Sequence, residues 1–373
     1  MDQFKDPIWQ VARRHRQQLR SRVIAVAGGL GKTTTQQLID VVLRGQFSGS
    51  APHSDVDDAY ALPQSLLELN PQDQYSVLEI RGCGKEEIRA FSHLCQPEIG
   101  VINSLAQNVS PGGDADECGE LELLAQLPEH GWAVLSGDEP QLRDRAIRAR
   151  SAVVLVGRSS HSDLIATEVR WSDGWLRFVV AGTECRVRAW GRHTLHAALT
   201  AYAVGRIFGL SAQDVAARLG EYQPLPRRCQ VVCRNRVLVI DDTYAGGYAS
   251  WPAALEVLRE LNTTGRRIVI CGDVTDPDCG FGRPADIGRA VIEQGGADWL
   301  IAVGPHGRMV VDAAQAAGMP SRRTMCRSRV SEAVSDARDL VRPGDTVLVK
   351  SGRNTDLGQL VSNLLDGPLA AVA

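Results

Sequence analysis

Short apolar runs alternate with amphipathic stretches through the first part of the chain. The runs predict buried strands at residues 23–27, Tyr75–Ile80, Ile99–Asn103, Ala133–Ser136 and Ala152–Val156. Helical spacing between them predicts helices at Gln36–Leu43, Lys85–Leu94, Glu117–Leu127 and Gln141–Ala149. Because strands that alternate with helices usually pair in parallel, this pattern predicts a mostly parallel sheet with helices on both faces.

The hydrophobic period changes to two between Leu164 and Ala189, which predicts an antiparallel meander appended to the sheet. Helical patterns follow at His193–Phe208 and Ser211–Leu219. The segment Tyr222–Arg228 carries two prolines and no periodicity, so we expect a domain boundary there. Further strands are then predicted at Val237–Ile240, Arg267–Cys271, Trp299–Val303 and Thr346–Val349. The predicted fold is α/β, with a phosphate-loop domain at 22–223, a smaller Rossmann-like domain at 224–373, and a helical extension at 1–21.

Composition excludes several classes of function. The 373 residues carry a net charge of −3, so no general basic field attracts the protein to nucleic acid or anionic membranes. The charged N-terminal segment does not resemble a secretory signal, and no uncharged apolar run reaches membrane-spanning length. The nine cysteines form no paired C-x-x-C modules, which argues against a structural zinc site. We therefore expect a cytoplasmic protein that binds neither nucleic acid nor membrane.

A glycine-rich turn after the first apolar run carries the strongest chemical signal. Residues 28–35 read Gly-Gly-Leu-Gly-Lys-Thr-Thr-Thr and lead into a helical pattern. Glycines let backbone N–H groups surround a phosphate chain, and a helix N-terminus favours negative charge. Lys32 supplies a cation for the β- and γ-phosphates, and the Thr33 hydroxyl suits Mg²⁺. The predicted nucleotide-contacting residues here are Gly28, Gly29, Gly31, Lys32, Thr33 and Thr34.

Six segments in order resemble the Mur ligase superfamily, in particular its D-alanyl-D-alanine-adding branch. The phosphate loop is similar to that family's Gly-Thr-Asn-Gly-Lys-Thr-Thr loop. The other segments are Val77–Ile88, Pro97–Asn103, Leu127–Pro140, Ile240–Tyr244 and Val347–Arg353. The similarity spans residues 22 to 361 and does not include the N-terminal domain with which peptidoglycan Mur ligases bind a uridine nucleotide. A smaller carboxylate, or one delivered by a protein partner, is therefore the expected acid.

The resemblance implies an ATP-dependent acid–amine ligase, which joins a small-molecule carboxylate to an amine through an acyl phosphate. Transfer of the phosphoryl group requires neutralisation of its charge. The residues implied to carry catalysis are Lys32, Glu79, Asn108, Glu120, Arg228, Lys350 and Arg353. Those implied to hold Mg²⁺ are Thr33, Glu79, Asn108 and Glu120. Beyond the loop, His193, Asp241, Asp242 and Tyr244 are expected to contact the nucleotide.

The chain departs from the family pattern at several positions. Asn108 stands where the family has a histidine metal ligand, and Glu120 where it has a carbamylated lysine. A glutamate at position 120 presents carboxylate oxygens similar to those of the carbamylated lysine. The alternative, that Glu120 lies on the solvated face of an amphipathic helix, is almost as strong. Ala197 replaces an adenine-contacting asparagine, and Ala245–Tyr248 replaces Asn-Ala-Asn-Pro. These departures leave open a second hypothesis, in which the protein binds ATP without catalysis and acts as a scaffold or regulatory subunit. The glycine spacing of the phosphate loop disfavours a kinase or GTPase.

Overall fold

The structure is a computed structural model that describes residues 6–52, 60–82, 84–105, 119–147, 149–191, 193–244, 247–273, 284–352 and 355–366. The chain divides into two compact units, Met1–Gln223 and Pro224–Ala373. Within the described ranges, no helix is both long and apolar enough to cross a bilayer.

The first unit is built on a sheet whose strands run β2-β3-β1-β4-β5-β6-β7-β8-β9 in the described part of the chain. Strands β1 to β6 are parallel, β7 continues parallel to β6, and β7, β8 and β9 form the antiparallel meander. The strands are β1 (Arg22–Ala27), β2 (Gly49–Ser50), β3 (Tyr75–Glu79), β4 (Ile99–Ile102), β5 (Trp132–Ser136), β6 (Ala152–Gly157), β7 (Leu164–Ser172), β8 (Trp175–Val180) and β9 (Thr183–Arg188).

Helices cover both faces of this sheet, so successive side chains of the central strand enter different cores. Ile24 and Val26 of β1 pack with α2, α7, α8 and the meander, whereas Val23 and Ala25 pack with α1, α3, α4, α5 and α6. This double burial explains why β1 reads as a continuous apolar run. The helices are α1 (Pro7–Arg16), α2 (Lys32–Leu43), α3 (Ala61–Leu67), α4 (Lys85–Cys95), α5 (Glu122–Ala125), α6 (Pro140–Ala146), α7 (His193–Ile207) and α8 (Ala212–Leu219), with a 3-10 helix at Gly119–Leu121.

The second unit is a smaller sheet with the strand order β10-β11-β15-β12-β13-β14. It is parallel except for β10, which pairs antiparallel with β11. Its strands are β10 (Gln230–Arg234), β11 (Val237–Asp242), β12 (Arg267–Cys271), β13 (Trp299–Val303), β14 (Thr324–Arg327) and β15 (Thr346–Lys350). Its helices are α9 (Trp251–Glu260), α10 (Pro284–Glu293), α11 (Gly307–Ala316), α12 (Val330–Leu340) and α13 (Gly358–Asp366), with 3-10 helices at Tyr248–Ser250 and Ser321–Arg323.

The predicted α/β class, with its parallel sheet, its meander and its second sheet, is confirmed. The predicted helix at Glu117–Leu127 is wrong in form, because the described residues there form a 3-10 helix followed by the four-residue α5. A Cβ at Gly119 would lie 2.9 Å from the backbone carbon of Gly84, so the chain passes very close to the residue that precedes α4. The edge strands β2, β10 and β14 are partly exposed and had no distinctive apolar run.

Candidate active site

The glycine turn between β1 and α2 adopts a conformation that only glycine accommodates well. Gly28 has φ of +128° and Gly31, the N-cap of α2, has φ of +78°. A Cβ at Gly28 would lie 2.7 Å from the Ser104 carbonyl oxygen, which is closer than real Cβ atoms come to backbone atoms. The turn therefore packs its backbone directly against the segment that follows β4, and it leads into the N-terminus of a long helix.

Two amides of the turn are used to hold it in place. The Gly29 amide donates to the Ser104 carbonyl at 3.0 Å, and the Leu30 amide donates to the Ser104 hydroxyl at 3.2 Å. The Gly29 N–H thus bonds within the protein in this structure, and the predicted contact of Gly29 with the nucleotide stays a prediction. Lys32 donates from Nζ to the Gly28 carbonyl at 2.7 Å, and so its ammonium lies over the turn. The first N–H groups of α2 have no acceptor within the helix and are the donors that suit a phosphate.

Polar side chains lie on both sides of the turn because β1 is flanked by β3 and β4. The register places Glu79 beside Val26, two residues before Gly28, and Asn103 directly follows β4. Asn103 donates from Nδ2 to the Thr35 hydroxyl at 2.6 Å, whereas its Oδ1 is buried with no hydrogen-bond partner among the described residues. The open end of the parallel sheet thus gathers a cation, a carboxylate and an unsatisfied amide oxygen around one turn, which is where such sheets bind ligands.

The oxygen atoms around this turn suit a hard divalent cation. Thr33 is 5% exposed and begins α2 beside Lys32, and Glu79 brings a carboxylate whose Oε2 lies 3.0 Å from Arg81 Nε. No three His, Cys, Asp or Glu side chains cluster as a metal site in the part of the chain that the structure describes. Mg²⁺ does not require such a cluster, since it usually keeps several waters and binds through one or two protein oxygens and the substrate phosphates. Asn108 and Arg353 lie outside the described residues, and their roles stay predictions.

Glu120 is buried, with 7% of its surface exposed, so the interpretation of it as part of a solvated face is wrong. Its 3-10 helix lies against the start of α4, the helix that follows Glu79 and β3. Glu139, after β5, accepts from the Leu105 amide at 3.1 Å. Burial is the main cause that raises the pKa of Glu139, and the charge of Glu120 acts in the same direction. The charge of Glu120 therefore acts on Glu139 near the carboxyl edge of this sheet.

In the second unit, the predicted residues Lys350 and Asp242 are partners. They end adjacent strands β15 and β11 in register, and Lys350 Nζ lies 2.5 Å from Asp242 Oδ2. Lys350 is fully buried, and its Nζ lies 5.6 Å from the centre of the Trp251 ring. Asp242 also accepts from the Cys229 amide at 3.0 Å. The predicted contacts of Lys350 and Asp242 with a nucleotide stay predictions.

The remaining predicted residues of this unit surround the end of β11. Asp241 accepts from the amide and the hydroxyl of Thr243 at 3.2 and 2.7 Å. Burial is the main cause that raises the pKa of Asp241, and these two hydrogen bonds act in the opposite direction. The Arg228 guanidinium lies 4.0 Å from the centre of the Tyr244 ring, while its Nε is buried with no hydrogen-bond partner among the described residues. A stacked arginine with an unused donor can bind a phosphorylated ligand.

Comparison with known families shows the relationship of both units. A family model for the Mur ligase middle domain matches residues 26–205, and the model described as Mur ligase, glutamate ligase domain matches residues 227–353. The chain belongs to the Mur ligase family. The two matches follow one another along the chain, so this Mur ligase carries the family's ATP-dependent ligase domains in order.

Individual relatives agree with this assignment. The chain is 26% identical to the UDP-N-acetylmuramoyl-tripeptide–D-alanyl-D-alanine ligase of Bacillus subtilis, over 99% of this chain and 81% of that one. The fold matches MurF from Acinetobacter baumannii with a TM-score of 0.82 at 22% identity, over 96% of this chain and 80% of that one. It also matches MurF from Thermotoga maritima in complex with ADP, with a TM-score of 0.79 at 19% identity, over 95% and 82%.

Several polar residues of this Mur ligase were not predicted from the sequence. Asn103 beside the phosphate loop is one, and His196 with Asp138 is another, with His196 Nε2 3.0 Å from the carboxylate. The hydrogen bond from His196 is the main cause that lowers the pKa of Asp138 to about 2. The predicted residue His193 begins α7. Ala197, where the family pattern led us to expect an asparagine, is buried in the same helix. A polar residue within two positions of the end of a buried strand was the available signal for Asn103 and Asp138.

Proposed function

We propose that this chain is an ATP-dependent acid–amine ligase that activates a peptide carboxylate as an acyl phosphate and joins it to the amino group of a dipeptide. The observation that carries the proposal is the phosphate turn with Lys32 over it and Glu79 and Asn103 on either side. This arrangement supplies what phosphoryl transfer needs, namely fixed donors and charge around the β- and γ-phosphates. The ADP-bound relative supports ATP as the nucleotide. Dependence on ATP places the proposed reaction in the cytoplasm.

Each residue of the turn has a defined task in this proposal. The N-terminal amides of α2 bind the phosphate oxygens, and Lys32 moves from the Gly28 carbonyl to the transferring phosphoryl group. Thr33 and Glu79 would hold Mg²⁺, which when bound neutralises charge on the β- and γ-phosphates. The buried Oδ1 of Asn103 is available to accept from a water or from the substrate. Because Gly28 has no side chain, the turn can approach the phosphates closely.

The names of the relatives indicate the substrates to test. The Bacillus subtilis relative is named a UDP-N-acetylmuramoyl-tripeptide–D-alanyl-D-alanine ligase, and we propose the same classes of acid and amine for this chain. Purified protein should release ADP from Mg–ATP only when both the nucleotide-linked tripeptide and D-alanyl-D-alanine are present. With the acid alone, added hydroxylamine should capture the acyl group as a hydroxamate. The absence of both ADP and hydroxamate with every acid tested would contradict the proposed function and would favour the non-catalytic ATP-binding scaffold.

A pair of variants on the same helix makes this test specific. Lys32→Ala should lower kcat by at least ~100-fold, since removal of one preorganised donor to developing charge commonly costs that much. Arg44→Ala is the matched control, because Arg44 lies just past the other end of α2, is 57% exposed, and pairs with Asp40. It removes the same charge without touching the turn and should leave turnover within about twofold. Equal losses in the two variants would show that Lys32 acts only through general charge or stability.

A further inference from the structure

Glu139 stands at the N-cap of α6, but its side chain does not cap that helix. A side-chain oxygen at this position usually accepts from an N–H group of the first helical turn, and Glu139 makes no such hydrogen bond. Its Oε2 instead accepts from the Leu105 amide at 3.1 Å, 34 residues away along the chain. Burial raises the pKa of Glu139, so this contact is made although the fold disfavours the charged carboxylate. The side chain thus serves the segment that follows β4 rather than its own helix.

One peptide group, formed by Ser104 and Leu105, links Glu139 to the phosphate turn. Its carbonyl oxygen accepts from the Gly29 amide at 3.0 Å, and its N–H donates to Glu139. Because a peptide group is planar, a rotation that broke one of these hydrogen bonds would also break the other. The Ser104 hydroxyl accepts from the Leu30 amide at 3.2 Å. The position of two turn amides is therefore coupled to the Glu139 side chain.

The strand end that carries Glu139 is itself held firmly. The preceding residue, Asp138, accepts from the amides of Arg158 and Ser159 at 2.9 and 2.8 Å, in the segment that follows β6. The same carboxylate accepts from His196 Nε2 of α7 at 3.0 Å. These contacts fix the end of β5 to β6 and to a helix. Glu139 thus extends toward Leu105 from a fixed point in the sheet.

We infer that Glu139 is a positioning residue for the phosphate turn, which it holds through the Ser104–Leu105 peptide group; the inference rests on the proposed ligase function. Its carboxylate fixes the plane of that peptide group, and Ser104 in turn fixes the Gly29 and Leu30 amides. A turn that is already ordered in the free protein binds phosphates more tightly, because less conformational freedom is lost on binding. Glu139 itself takes part in no chemical step.

The first test measures affinity for a non-hydrolysable ATP analogue by calorimetric titration. Glu139→Ala leaves the Leu105 amide without its acceptor and should weaken binding about tenfold, a usual cost for a buried N–H left unpaired. Glu139→Gln keeps an oxygen acceptor for this amide and should stay within about threefold of wild type. Glu98→Ala is the matched control, because Glu98 lies just before β4, at its opposite end, and pairs with Arg22 at 2.8 Å. It removes a carboxylate without touching the turn and should keep wild-type affinity.

The second test follows amide hydrogen exchange of Gly29 and Leu30 by NMR in the free protein. Glu139→Ala should speed exchange of both amides about tenfold, since exchange reports the free energy of local opening, whereas Glu98→Ala should leave it unchanged. This measurement needs neither nucleotide nor substrate, so it decides the inference even if the ligase function fails.

Three results would overturn the inference. Wild-type exchange in Glu139→Ala would show that the peptide group is held without the carboxylate. Equal losses of affinity in Glu139→Gln and Glu139→Ala would show that the charge acts, and not the hydrogen bond to Leu105. Equal effects of Glu98→Ala would show general loosening of the sheet. Failure of the proposed function differs from all three, because the wild-type protein would then bind no ATP analogue.

Discussion

Replacement of Gly28 by alanine is the most direct test of the phosphate turn. Gly28 has φ of +128°, and an added Cβ would lie 2.7 Å from the carbonyl oxygen and 3.2 Å from the amide nitrogen of Ser104. Both atoms belong to the backbone, so no side-chain rotation relieves the contacts. The turn would have to move away from the segment after β4, and the hydrogen bonds from Gly29 and Leu30 to Ser104 would lengthen.

The expected size follows from these two effects. A residue forced into a sparsely populated backbone conformation costs about 1–3 kcal/mol. Overpacking a close-packed site costs about 1–3 kcal/mol more. If about 2–3 kcal/mol of this total opposes the nucleotide-binding conformation, affinity for Mg–ATP falls roughly 30- to 140-fold, because each 1.4 kcal/mol is a factor of ten.

Calorimetric titration with a non-hydrolysable ATP analogue measures the affinity, and urea denaturation measures the free energy of unfolding. Gly182→Ala is the matched control, since Gly182 has φ of +73° with no atom within 4 Å of the added Cβ. It should lose about 1–2 kcal/mol of stability and keep its affinity. Gly31→Ala is intermediate, with φ of +78° and its nearest contact 3.7 Å away at Asn103 Nδ2. Wild-type affinity in Gly28→Ala would refute the assignment of this turn as the phosphate site.

Three further predictions concern stability. Asp242→Ala should lower the free energy of unfolding by about 3–5 kcal/mol, because it leaves the buried Lys350 ammonium unpaired. The double variant with Lys350→Met should recover part of this loss in urea titrations. No recovery would contradict the unpaired charge as the cause. Glu139 has a raised pKa in the folded state, so its ionisation lowers the free energy of unfolding as pH rises. Glu139→Gln should therefore raise Tm near pH 7 and lose that advantage below about pH 4, where the carboxyl group is protonated in both states. A Tm difference that does not change with pH would contradict the raised pKa. Trp9→Ala should lower the free energy of unfolding by about 3–5 kcal/mol, because Trp9 is 2% exposed and stacks on Phe91 with 5.5 Å between the ring centres. A loss under 1 kcal/mol in urea denaturation would show that α1 does not stabilise the core that Val23 and Ala25 enter.

Elements with purely local signals were predicted almost to the residue. Strands β12 and β13 are continuous apolar runs because both faces are buried, and their bounds agree with the prediction. The partly exposed edge strands β10 and β14 were missed for the opposite reason, since nothing in their local composition distinguishes them from loops. The predicted helix around Glu120 is a 3-10 helix followed by the short α5, and Gly119 lies in close contact with Gly84, which is distant in sequence and which no local pattern reveals.

The sequence by itself determined the α/β class, the order of the two sheets and the phosphate turn, because each depends on residue types within a short stretch of chain. Only the tertiary structure decided which strand ends meet. It placed Glu79 and Asn103 on either side of the turn, paired Lys350 with Asp242, and joined His306 to Asp273. These partners are far apart in sequence, and strand order brings them together through packing that no local pattern encodes.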